Sequence, residues 1–151
     1  MHQPSYVDPE NDRSLMPWVR LHAIKDYYDM GRVVKDVPGA RAVFNFVPSL
    51  WAQMEKLAKG EWLDQHEILS RKPVEMLSVE ERNFIAEQFF SAHYPSMIEP
   101  YPQYRDLYFR FGPQGDPHLI QNAEFSSIID LQVWFHLAWC GHTLKEDPFV
   151  A

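Results

Sequence analysis

The stretch Ala42-Val43-Phe44-Asn45-Phe46-Val47, closed by Pro48, decides how the rest of the chain is read. It follows a Pro38-Gly39 turn and is short, apolar, and rich in β-branched and aromatic side chains, which predicts one buried strand near 42–47. Downstream, Pro48 suits the first turn of a helix carrying Leu50, Trp51, Met54 and Leu57 on one face and stopping at Gly60. Upstream, Pro17 opens a helix over about 17–35, with Trp18, Leu21, Ile24 and Tyr28 at spacings of three and four. Residues 1–16 show no period. Beyond residue 60, a short helix fits around Leu63 to Leu69, limited by Pro73. Ser78 with Glu81 forms a capping-box pattern that leads through Phe84, Ile85, Gln88 and Phe89 to near His93. Pro95, Pro100 and Pro102 make 94–102 a loop. A helix through Tyr104, Leu107, Tyr108 and Phe111 follows, then a Gly/Pro loop over 112–117. Ser127 with Asp130 caps a last helix whose stripe is Leu131, Trp134, Phe135 and Ala138.

The outcome is a predominantly helical chain with one clear strand near 42–47, and a lone strand is a physical anomaly. Its backbone donors and acceptors need a neighbouring strand wherever they are buried. Either the run pairs with a segment that the pattern does not reveal, or it is not a strand, or the chain is a segment of a larger α/β protein with the partner strands outside it. The bulk properties fit one soluble domain over 1–151, with 46% hydrophobic residues. A net charge of -7, with 14 basic residues scattered among 21 acidic ones, argues against a nucleic-acid surface. No apolar stretch approaches the roughly 20 residues needed to cross a membrane. The single Cys140 excludes an internal disulfide and fits a reducing, cytoplasmic setting. Aromatic residues make up 15%, and such side chains serve cores first and sugar or base stacking second.

Several stretches resemble glycoside hydrolase family 57, in particular its amylopullulanase-like and α-amylase-like members. His2-Gln3-Pro4 is similar to the family's first motif, at the end of its first barrel strand. The run from Leu15-Met16-Pro17-Trp18 to Tyr27-Tyr28-Asp29-Met30 resembles its first helix, and Phe44-Asn45-Phe46-Val47-Pro48-Ser49-Leu50 its second strand and following turn. Met97-Ile98-Glu99-Pro100-Tyr101-Pro102-Gln103-Tyr104 and Asp130-Leu131-Gln132-Val133-Trp134-Phe135 match later stretches in the same order. The resemblance implies an α/β fold, the N-terminal portion of a distorted (β/α)7 barrel with the rest of the barrel missing. It implies an enzyme that cleaves or transfers α-glucan links with retention, without an organic cofactor. The family's nucleophile Glu and acid/base Asp lie in later regions that are not recognisable here. The piece alone is therefore expected to be inactive, and no catalytic residue is nominated.

For the candidate substrate contacts, the resemblance puts His2 and Gln3 at the end of a barrel strand, where barrel enzymes place their chemistry. Asn45 is polar inside an apolar run. A buried amide there is ordinarily a satisfied structural group, with ligand contact as the second reading. His22 and Asp26, four apart, form a local pair on one helix face. Asp26 with Asp29, and Glu80 with Glu81, read as solvated surface carboxylates. Trp18, Trp51, Trp134 and Trp139 read as core. His136 and His142 are six apart around Cys140, which is not a tight zinc spacing, so no metal site is expected. The competing class is a stand-alone, non-catalytic helical module that binds a carbohydrate or a partner protein.

Overall fold

The structure is a computed structural model that describes residues 3–148. His2 lies outside the described residues. The chain divides into two compact units, residues 3–65 with 140–148 and residues 66–139.

In the first unit, the opening segment forms a two-residue hairpin, β1 (Val7–Asp8) antiparallel to β2 (Arg13–Ser14), with Val7 opposite Ser14. The segment expected to be irregular is therefore ordered by its turn. Asp8 accepts from Glu10 N–H at 3.1 Å, Asn11 Nδ2 at 2.8 Å and Arg13 Nε at 3.1 Å, local side-chain-to-backbone bonding of the kind that builds tight turns. The predicted first helix is present but interrupted. It comprises α1 (Trp18–His22), a π-helical turn at Ala23–Tyr27 and α2 (Tyr28–Asp36). Pro48 opens α3 (Pro48–Ala58) at its first position, and Gly60, at φ 70°, takes the chain out of it. Leu21, Val19 and Leu50 are buried. Arg20 donates to Asp64 through Nε at 2.6 Å and Nη2 at 3.1 Å, a bidentate pair whose carboxylate is fully buried. The unit closes with α8 (His142–Lys145).

The strand expected near 42–47 is absent. Residues 41–47 carry no regular structure, and Val43 is 99% exposed. An apolar, β-prone composition does not make a strand without a second strand to accept its backbone hydrogen bonds. The described sheet is the β1–β2 hairpin, so the chain is mostly helical.

In the second unit, α4 (Gln65–Arg71) leads to a 3₁₀ turn at Val74–Met76 and then α5 (Val79–Gln88). The capping box is as read: Glu81 N–H donates to Ser78 Oγ at 3.2 Å, and Ser78 N–H to Glu81 Oε2 at 2.8 Å. The proline-rich 94–102 contains a π-helical turn at Tyr94–Ile98 rather than open loop. Next come α6 (Pro102–Phe111), a 3₁₀ segment at Pro117–Asn122 and α7 (Phe125–Trp139). The last long helix begins two residues before Ser127, so Ser127 and Asp130 lie inside its first turns rather than capping it. Its core is aromatic. The His66 ring lies against Phe89 and Phe135, each at 5.2 Å and 21°, with the edge of Phe84 at 5.2 Å. Buried Tyr104 donates to the Phe89 carbonyl at 2.5 Å, and burial pushes its phenol well above the ordinary range. Gln132 Nε2 donates to the Leu69 carbonyl at 2.8 Å.

Among the described residues, no helix is long and apolar enough to cross a membrane. The Arg20–Asp64 pair gives the sharpest stability expectation. Arg20→Ala removes the bidentate partner of a fully buried carboxylate and should cost about 3–5 kcal/mol in urea-unfolding measurements. A loss below 1 kcal/mol would show that the pair contributes nothing beyond a surface contact.

Candidate functional site

The π-helical turn at Ala23–Tyr27 organises the first unit. Such a turn inserts an extra residue into a helix and rotates everything after it. Here it leaves the carbonyl of Ile24 to accept from Gly141 N–H at 3.0 Å. It also sets Tyr27 beside the opening segment and presents Asp29 to α8.

At the turn, His22 Nδ1 and Asp26 Oδ2 form the expected i, i+4 pair, and Lys25 Nζ donates to Asp26 Oδ1 at 3.0 Å. Burial raises the Asp26 pKa, but the bonds from His22 and Lys25 outweigh it and hold the carboxyl below its ordinary value. Asp26 is thus an ionised, committed acceptor and is unsuited to donating a proton as a general acid near neutral pH. The His22 ring stacks with Tyr27 at 6.3 Å and 29°. Tyr27 meets the edge of Phe46 at 6.4 Å and 76°, and Phe46 meets Trp51 at 6.2 Å and 84°. These four rings form a continuous series.

Gln3 joins this series from the opening segment. Its Nε2 donates to the Tyr27 hydroxyl at 3.5 Å, a long contact, while its Oε1 accepts from Tyr6 OH at 3.1 Å. The buried amide of Gln53 on α3 fixes the segment. Gln53 Oε1 accepts from Tyr6 N–H at 2.9 Å, and its Nε2 donates to the carbonyls of Pro4 at 3.1 Å and Ser49 at 3.0 Å. One side chain therefore satisfies backbone groups on two segments. Of the expected contacts, Gln3 sits in the series. Asn45 lies on the exposed residues 41–47, next to Phe46, and so is not the buried amide its apolar neighbours predicted.

One surface reading and one core reading are corrected. Asp29 is not a solvated carboxylate, because it accepts from His142 N–H at 2.9 Å, from Thr143 N–H at 3.0 Å and from the Thr143 hydroxyl. Burial opposes ionisation, but those three donors hold its pKa below the ordinary value. Gly141 permits this approach, since a Cβ there would lie 2.5 Å from Asp29 Oδ1. Trp51, expected in the core, is 60% exposed, whereas Trp62 and Trp139 are buried and Trp18 and Trp134 half-buried.

The sequence did not single out Tyr6, Tyr27, Phe46, Gln53 or Asp29 as acting together. Only Gln53 left a signal, being a polar residue on the inward stripe with Leu50 and Leu57. The arrangement can hydrogen-bond hydroxyls and offer aromatic faces. Burial raises the pKa of the lone thiol, Cys140, against a weaker opposing pull from Lys145. Among the described residues, no three His, Cys, Asp or Glu side chains are grouped to hold a metal ion.

Asp29→Asn should cost about 1 kcal/mol at neutral pH and raise amide exchange at His142 and Thr143. The folded-state pKa of Asp29 is lowered, so its stabilisation is present above the ordinary Asp value of 3.8 and fades as pH falls through the lowered value. The gap between variant and wild type should therefore close in acid melts. A gap independent of pH would assign the loss to packing instead. No family model, curated protein or solved structure matches this chain.

Proposed function

We propose that this chain is the N-terminal segment of a retaining α-glucan glycoside hydrolase or transferase, of the α-amylase, amylopullulanase or 4-α-glucanotransferase type. In that protein it binds sugar rather than breaking the glycosidic bond. The carrying observation is the convergence of Gln3, Tyr6, Tyr27 and the His22–Asp26 pair on one side-chain series that continues through Phe46 to Trp51. Pyranose recognition asks for amide, carboxylate and phenol groups placed against aromatic faces, and these residue types supply both. The reading starts from the resemblance in the His2-Gln3-Pro4 stretch and the Phe44 to Leu50 stretch, and Gln3 and Phe46 of those stretches both meet Tyr27.

The exposed apolar residues 42–47 support a parent protein larger than this chain. With Val43 at 99% exposure beside Phe44 and Phe46, a β-prone run lies open where a neighbouring strand would pair with it. A place in a distorted (β/α)7 barrel accounts for this run, with the barrel's remaining strands supplied elsewhere. In that barrel His2, Gln3 and Asn45 are the proposed sugar contacts, and the catalytic Glu and Asp come from outside this chain. Neither Asp26 nor Asp29 suits the proton-donating role, because bonds to neighbours hold each carboxyl below its ordinary pKa. The substrate class is an α-glucan or its oligosaccharides, in the cytoplasm.

Calorimetric titration of the full chain with maltoheptaose tests this reading. The expected result is saturable binding without release of reducing ends. Tyr27→Ala should weaken binding roughly tenfold, through loss of one ring face and one hydrogen-bond partner. Absence of binding by the wild-type chain would overturn it.

A further inference from the structure

The outer face of α3 carries a groove lined by Trp51, Met54, Glu55, Ala58 and Lys59, with a volume of about 370 Å³. That lies within the range of ligand pockets, about 300–1,000 Å³. Its lining divides into two parts. Trp51, Met54 and Ala58 repeat at spacings of three and four and form an apolar floor, while Glu55 and Lys59 stand one helical turn apart on the rim. Helix α3 thus carries apolar side chains outward as well, while Leu50 and Gln53 are buried on its other face.

We propose that this groove is an additional α-glucan subsite, with the Trp51 indole as the platform for one pyranose ring. Three observations converge on a sugar. First, Trp51 is 60% exposed, although a side chain of that size is mostly buried in folded chains. Second, the indole has an aromatic neighbour. Phe46 meets it edge-on at 6.2 Å and 84°, and Tyr27 meets Phe46 in turn, contacts that reduce the rotamer freedom a stacking ligand must remove. Third, the rim is bonded in advance. Lys59 Nζ donates to Glu55 Oε1 at 2.7 Å, and that bond holds the Glu55 carboxyl below its ordinary pKa. The pair leaves one carboxylate oxygen and two ammonium protons facing solvent as partners for ring hydroxyls. The apolar face of a pyranose lies on the indole, and its equatorial hydroxyls reach the rim. A nucleic acid would instead need a basic surface.

This inference rests on the α-glucan reading above and extends it. The series running from Gln3 and Tyr27 through Phe46 ends at Trp51, so the groove continues the path of the same chain of sugars.

The test titrates the full chain with maltoheptaose and compares wild type with Trp51→Ala, Trp51→Phe and Tyr27→Ala, with melting curves alongside. Trp51→Ala should weaken binding about tenfold, in line with the loss of one ring-stacking platform, with an unchanged melt. Trp51→Phe should recover most of the affinity. Wild-type affinity in Trp51→Ala alongside weakened Tyr27→Ala would overturn the subsite and leave the glucan reading standing. No binding by wild type would overturn both. A self-association that Trp51→Ala abolishes and maltoheptaose does not affect would assign the groove to a second copy of the chain.

Discussion

One residue too many in a helix organises the first unit. The π-helical turn at Ala23–Tyr27 breaks the regular register between α1 and α2. On one side it keeps His22 bonded to Asp26 and brings Tyr27 to the opening segment. On the other, the residues after it serve the end of the chain. Tyr28 donates to Asp147, and Asp29 accepts from the first N–H groups of α8. The freed Ile24 carbonyl accepts from Gly141 N–H. An unbroken α-helix would keep that carbonyl in its own ladder and turn Tyr27 and Asp29 by about a quarter of a turn or more.

The opening segment has little secondary structure of its own, since a two-residue hairpin is too short to stand alone. Gln53 compensates for this. Being buried, its amide is obliged to bond, and the partners within reach are the backbone groups of residues 4, 6 and 49. The hairpin is held further by Asp12, which accepts from Lys56 at 2.6 and 2.8 Å and from Trp62 Nε1 at 3.3 Å. Helix α3 therefore serves both faces. Its inner residues fix the polar end of the aromatic series through Gln53, and its outer residues carry the far end at Trp51.

Sequence periodicity revealed the helices and their stops because those signals are local. Pro17, Pro48, Gly60 and the Ser78–Glu81 box act within a few residues, and each lies within a residue or two of an element end. What escaped the reading depends on distant partners. The strand expected at 42–47 failed because β structure needs a second strand, and composition carries no information about one. Asp29 looked like a surface acid because its donors lie more than a hundred residues away in sequence. Trp51 looked like core because α3 carries apolar side chains outward as well, and an amphipathic pattern assigns only one apolar face. Gln3 was singled out by the motif resemblance, whereas Tyr6, Tyr27 and Phe46 take their contacts from partners distant in sequence, which no residue pattern announces.

The most direct measurement is an NMR titration of the isotopically labelled full chain with maltoheptaose, following backbone amides, the side-chain amides of Gln3 and Asn45, and the indole N–H groups. The expected perturbations are confined to Gln3, Tyr6, residues 22–27, residues 44–46 and the Trp51 indole, while the buried Trp62 and Trp139 signals stay in place. Shifts concentrated in residues 66–139, or no shifts at saturating sugar, would contradict the assignment of this aromatic series to α-glucan binding.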